Sequence, residues 1–133
     1  MTITEIDARK LIDELDLAYP IEEARGELGD RVEAAAQCYR DFLYVCWVAR
    51  QKGVRVAAIC ECADAIWHEH ILVTPKYRDD CDIIFGGFLD HIPADWLGDE
   101  PSPDDRAATE AIYQAAGVTP CATQRARCVW PGP

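Results

Sequence analysis

The chain has 133 residues, and its 13 Lys and Arg against 24 Asp and Glu give a formal charge of −11. A field of that sign repels phosphate backbones and anionic lipids, which argues against nucleic acid and membranes as partners. The N-terminal stretch MTITEIDARK lacks the basic and apolar regions of a signal peptide, and no apolar run approaches the roughly 20 residues that span a bilayer. We therefore expect one cytoplasmic domain over residues 1–133.

The first half of the chain predicts two helices. Apolar residues about one turn apart predict a first helix near residues 4–16, with Pro20 beyond its end. A longer pattern predicts a central helix over residues 31–51, with Asp30 as its N-cap and Gly53 as its terminator. The apolar face of the central helix should form the middle of the core. It comprises Val32, Ala35, Ala36, Tyr39, Phe42, Leu43, Cys46 and Trp47.

The second half predicts a helical hairpin over residues 57–90. Its first arm, residues 57–72, has good helix propensity and no internal Gly or Pro. Its second arm starts at Thr74, where a proline follows as it does at many helix starts. A loop, a short helix that ends at Gly117 and an irregular tail over residues 118–133 complete the chain. The pattern predicts an all-α bundle of about five helices.

Two of the three histidines lie two residues apart in the first arm of the hairpin. On a helix such residues point roughly 200° away from each other, so His68 and His70 cannot easily bind one ion. Asp64 lies one turn before His68 and can orient its ring by a hydrogen bond. His70 shares its side of the helix with Ile66, which indicates a packing role, with metal ligation as the alternative.

Tyr77, Cys81 and His91 follow one line along the second arm of the hairpin. A short turn could bring Tyr77 near His68, but His91 lies up to about 20 Å further along at 1.5 Å per residue. If the groups converge, two imidazoles and a thiolate suit copper, zinc or iron. In the alternative, the thiol and the phenol fill a helix interface and His91 ends its helix.

The seven cysteines are expected to be thiols, most of them small buried residues. Cys60 and Cys62 form a CEC motif, and Cys121 and Cys128 lie in the tail. Neither pair has the C-x-x-C spacing that is usual for structural zinc. HEHIL is not H-E-x-x-H, and the common glycine-rich nucleotide-binding motifs and the G-x-S-x-G hydrolase motif do not occur.

Four stretches carry a resemblance to a known family: DLAYPIEEA, YRDFLYV, ADAIWHEHILVTPKYRDDCDIIFGGFLDHIP and VWP. They resemble bacterial members of the glycine-rich domain-containing protein-like family, over residues 15–130. The family pattern marks Asp64, Trp67, His68, Ile71, Thr74, Tyr77, Cys81, Gly87, His91 and Pro93. The resemblance implies that His68, Cys81 and His91 form a functional centre. The chain departs from the pattern at Asp90, where a second histidine is usual.

The leading hypothesis is a small metal-binding protein, with the metal held by His68, Cys81 and His91. We expect a metal-dependent enzyme with redox or group-modifying chemistry. In it Tyr77 takes part in the redox step or contacts a metal ligand, and Asp64 orients His68. The acidic surface suits a neutral or cationic small molecule or peptide as substrate.

Two other hypotheses remain open. One is a non-catalytic interaction module, in which the motif residues are structural and Trp96 and Trp130 bind a partner. The other is a metal-free enzyme that uses a cysteine and histidine pair.

Overall fold

The computed structural model describes residues 3–56, 60–90, 92–93, 102–119 and 128–129. The described helices are α1 (Glu5–Asp13), α2 (Ala18–Leu28), α3 (Val32–Lys52), α4 (Glu61–Leu72), α5 (Thr74–Phe85) and α6 (Pro103–Ala116). Two short strands, β1 (Ile92–Pro93) and β2 (Cys128–Val129), pair antiparallel. The prediction of an all-α fold is confirmed. No helix among these residues has the length and apolar character needed to cross a membrane.

The N-terminal part of the bundle contains two helices where the sequence predicts one. Thr4 caps α1 by accepting a hydrogen bond from the Asp7 backbone N–H at 3.2 Å. The helix ends at Asp13, and the Asp16 carboxylate accepts a hydrogen bond from the Ala18 backbone N–H at the start of α2. Pro20 lies in the first turn of α2, where its missing N–H costs nothing. The predicted helix over residues 4–16 is therefore too long, and the proline expected beyond its end belongs to the next helix.

Helix α3 lies at the centre of the bundle and contacts α1, α2, α4 and α6. All eight residues of its predicted core face are buried, which confirms that part of the prediction. Asp30 is not its N-cap, because a 3₁₀ turn at Gly29–Arg31 precedes the helix and no side chain caps it. Gly53 ends the helix at φ 66°, the left-handed conformation that glycine adopts most readily.

The predicted hairpin over residues 57–90 consists of two shorter helices, joined at Val73. Helix α4 starts after Cys60, which is extended at its N-cap, and residues 57–59 lie outside the described part of the chain. Helix α5 ends at Phe85 rather than near residue 89, because Gly86 adopts φ 71° and terminates it. Gly86 therefore stops the second arm of the hairpin short of its predicted end.

Candidate metal site and the buried polar network

Three thiols converge where α3 packs against the start of α4. Cys38 projects from α3, Cys60 is the N-cap of α4, and Cys62 lies in its first turn. Their sulfur atoms all lie within 4.8 Å of one another, and those of Cys60 and Cys62 are 3.4 Å apart. Cys62 is buried, whereas Cys38 and Cys60 are partly exposed. The three cysteines form a cluster that could hold a metal ion.

The size of this cluster fits a metal–thiolate site. Zinc–sulfur bonds of about 2.3 Å place the sulfurs of a tetrahedral site about 3.8 Å apart. The sulfurs of Cys60 and Cys62 are slightly closer than that, and no pair is further apart than 4.8 Å. Each sulfur therefore needs to move by no more than about 1 Å to bind one ion. A cysteine side chain makes such a movement by rotation about a single bond.

Two features of the surroundings affect the charge at the cluster: the N-terminus of α4, which favours anionic sulfur, and the neutral phenol of Tyr113. Cys60 and Cys62 lie at the N-terminus of α4, where the helix dipole stabilises negative charge. Tyr113 of α6 packs partly buried against the core, and burial raises its pKa, with a smaller contribution from acidic groups that include the Cys60 and Cys38 thiols. Its phenol stays protonated at neutral pH. Tyr113 is therefore a neutral neighbour of the three thiols.

His68 and Asp64 form the pair that the sequence predicts. The Nε2 atom of His68 lies 3.2 Å from Oδ2 of Asp64, one turn earlier on α4. The His68 side chain is 53% exposed, so its ring is accessible to a ligand from solvent. His91, the third member of the predicted centre, lies outside the described residues. Trp96, Trp130 and Cys121 lie outside them as well.

Cys81 is buried, in contrast to His68. Burial raises the pKa of the Cys81 thiol, and the Leu89 backbone and the Tyr77 hydroxyl only partly oppose the rise. A nucleophilic cysteine needs the opposite shift, because the thiolate is the reactive form. The environment of Cys81 is thus that of a packed thiol.

His70 is almost completely buried and bonds through both ring nitrogens. Its Nδ1 atom lies 2.7 Å from the Tyr39 hydroxyl, and its Nε2 atom lies 2.8 Å from Oδ2 of Asp80. Lys76 also donates to that carboxylate oxygen, at 2.7 Å. Burial lowers the pKa of His70 although Asp80 favours the charged ring, and burial raises that of Tyr39. In the neutral tautomer that satisfies all four groups, Tyr39 donates to His70 and His70 donates to Asp80.

A second buried set of hydrogen bonds joins α4 to the segment that follows α5. The Trp67 indole N–H donates to the Tyr77 hydroxyl at 2.9 Å, and that hydroxyl donates to the Leu89 carbonyl at 2.5 Å. The Tyr77 ring packs edge-on against His70 and Phe88, with centroid distances of 4.8 and 5.2 Å. The aromatic motif residues therefore contact one another in the core.

Replacing Tyr77 with phenylalanine should lower the free energy of unfolding by about 2–3 kcal/mol. The ring contacts would remain, but the buried Trp67 N–H would lose an acceptor and the Leu89 carbonyl a donor. Urea unfolding followed by circular dichroism measures the change. Tyr19→Phe is the matched control, because that ring is 58% exposed and its loss of a hydroxyl should cost less than about 0.5 kcal/mol. Equal effects in the two variants would contradict the structural role of the Tyr77 hydroxyl.

Sequence reasoning did not find the three-cysteine cluster. The only local signal is the CEC motif, and its partner Cys38 is far away along the chain. A predicted helix from residue 57 would also turn Cys60 and Cys62 away from each other. The extended backbone of Cys60 removes that obstacle.

Comparison with known proteins identifies the family of this chain. A family model described as UCP032817-like matches residues 8–122, which include all three clustered cysteines and α2 to α6. No curated protein and no solved structure matches the chain. Because the match covers most of the sequence, the chain belongs to the UCP032817-like family.

Proposed function

We propose that this protein binds a thiophilic transition-metal ion through Cys38, Cys60 and Cys62. The observation that carries the proposal is the convergence of the three sulfurs within 4.8 Å. Thiolates select zinc, copper(I) and iron in iron–sulfur clusters over hard ions such as magnesium and calcium. A mononuclear site of this size suits zinc and copper(I) best.

The three described sulfurs are three of the four ligands that a tetrahedral site needs. Among the residues that the structure describes, no other histidine, cysteine or carboxylate joins the three thiols. Structural zinc sites are closed by four protein ligands, whereas catalytic sites combine three with water or substrate. With water or substrate as the fourth ligand, the site would be that of a metal-dependent enzyme. The acidic chain would favour a neutral or cationic small molecule or peptide at that position.

The predicted centre of His68, Cys81 and His91 is a second proposal. The Asp64–His68 pair supports it, because a carboxylate that orients an exposed imidazole is common beside metal ions. The burial of Cys81 weighs against it. The resemblance to the glycine-rich domain-containing protein-like family likewise remains a proposal, beside the family assignment made above.

Cobalt substitution tests the proposed function. We expect metal-free protein to bind one equivalent of Co²⁺ and to develop the intense near-ultraviolet charge-transfer absorption of thiolate ligands. His68→Ala should give the same spectrum, because His68 is not part of the cluster. Absence of the charge-transfer bands at saturating Co²⁺ would contradict metal binding by the cysteines. Loss of Co²⁺ binding in His68→Ala would instead favour the second proposal.

A further inference from the structure

We propose that Cys60 and Cys62 form a reversible disulfide, which competes with the metal for the same sulfur atoms. The two sulfurs are 3.4 Å apart in the structure. A disulfide bond of about 2.05 Å requires them to approach by roughly 1.4 Å. The pair is therefore close to bonding distance without any movement of α3 or α6.

The local backbone explains why cysteines two residues apart can meet. Cys60 is at the N-cap of α4, with φ −67° and ψ 150°, and Cys62 is in the first helical turn. Two helical residues at this spacing would point about 200° apart. The extended backbone at the cap releases Cys60 from that constraint, and its side chain lies against that of Cys62.

Among the described cysteines, exposure to solvent and the raised pKa of the other thiols confine oxidation to the three-cysteine cluster. Cys60 is partly exposed, so both an oxidant and a small-molecule thiol can reach its sulfur. Cys46 and Cys81 are buried, and burial raises the pKa of both thiols. A protonated, buried thiol reacts slowly with oxidants.

The reaction with hydrogen peroxide balances in two steps. The Cys60 thiolate attacks the peroxide oxygen, which breaks the O–O bond, forms a sulfenic acid and releases one molecule of water after protonation. The Cys62 thiolate then attacks the sulfenic sulfur, forms the S–S bond and expels the hydroxyl group as a second water. The two thiols lose two electrons in total, and the peroxide accepts them. A thiol reductant reverses the change by exchange through a mixed disulfide.

Disulfide formation would release the metal. Of the three clustered cysteines, Cys38 alone would remain as a thiolate ligand, and a single thiolate does not retain an ion that three ligands bind. This consequence rests on the proposed function, whereas the disulfide itself does not. A disulfide that closes so small a ring and is partly exposed should also be easily reduced, as reversible disulfides are.

Peptide mapping of the full chain tests the disulfide. Metal-free protein is treated with hydrogen peroxide, its remaining thiols are alkylated, and it is digested with trypsin. Cys60 and Cys62 share one tryptic peptide, residues 56–76, whereas Cys38 lies in another, residues 32–40. We expect the 56–76 peptide to lose two hydrogen atoms, to escape alkylation and to recover both thiols after reduction. Cys38→Ser should react in the same way. A cross-link between the two peptides, or alkylation of both thiols in the 56–76 peptide, would overturn the proposal.

Zinc release tests the consequence for the metal. Protein loaded with one equivalent of Zn²⁺ is oxidised in the presence of a chromogenic chelator, and we expect one zinc ion to be released for each disulfide formed. Zinc that stays bound to protein with a fully oxidised 56–76 peptide would overturn the competition. Failure of the reduced protein to bind zinc would refute the proposed function, while the peptide map would still decide on the disulfide.

Discussion

Replacing Cys62 with serine should lower the affinity of the protein for Zn²⁺ by about 10² to 10³-fold. Structural zinc sites with four protein ligands release about 10–16 kcal/mol on binding, which is roughly 2.5–4 kcal/mol for each ligand. Each 1.4 kcal/mol corresponds to about tenfold in affinity. Cys38→Ser and Cys60→Ser should have effects of similar size, because all three sulfurs belong to one cluster. Competition with a chromogenic chelator at constant pH measures the affinities.

The same measurement has a matched control on α3. Cys46 lies two turns after Cys38 on the same helix, is fully buried and does not belong to the cluster. Cys46→Ala should therefore retain the affinity of the unmodified protein even if it loses some stability. Zinc affinity that survives in all three serine variants but disappears in Cys81→Ala would place the metal at the second proposed centre instead.

The affinity should also fall as the pH falls, because zinc binds the thiolate and competes with protons for each sulfur. A site with three thiolates releases up to three protons on binding. The affinity of the unmodified protein should thus depend on pH more steeply than that of Cys62→Ser.

Sequence periodicity predicted the parts of the fold in which one strongly apolar helix face is buried. The core face of α3 is the clearest example, since every residue of that face is in the core. Helix α2 was not predicted, because Pro20 and Gly26 read as helix breakers and only three of its residues are buried. Its helical structure is stabilised by packing on α4, which no local pattern reveals.

Predicting the candidate site requires more knowledge of tertiary contacts than predicting the helices does. The CEC motif supplies two sulfurs, but the approach of Cys38 follows from how α3 packs on α4. The interpretation of His70 as a packing residue used the apolar residues on its own helix. Its two partners, Tyr39 and Asp80, belong to α3 and α5, so their identity could not be read from the spacing within α4.

Replacing Asp80 with alanine should lower the free energy of unfolding by about 2–3 kcal/mol. The His70 N–H would lose its acceptor in a position that is 1% exposed, and Lys76 would lose its ion-pair partner. Asp79→Ala is the matched control, because that carboxylate is exposed on the same turn of α5 and its loss should change stability by less than about 0.5 kcal/mol. Denaturant unfolding of the metal-free proteins gives both values.

The network should also make stability depend on pH through His70. Burial lowers the pKa of this ring in the folded protein, while in the unfolded chain it titrates near its ordinary value of about 6.5. Between the two pKa values, the His70 ring binds a proton in the unfolded chain but not in the folded protein. The stabilisation from a neutral His70 is therefore complete above about pH 6.5 and is lost as the pH falls through the lowered folded pKa.

Comparison with His70→Gln isolates this contribution from the titration of other groups. The free energy of unfolding of the unmodified protein should exceed that of His70→Gln most at about pH 7.5, and the difference should shrink towards about pH 5. A difference for His70→Gln that grows in acid would mean that the folded protein favours the charged ring. In that case the ion pair with Asp80 would outweigh the desolvation of His70, and the proposed direction of the hydrogen bond from Tyr39 would be wrong, because a doubly protonated ring cannot accept it.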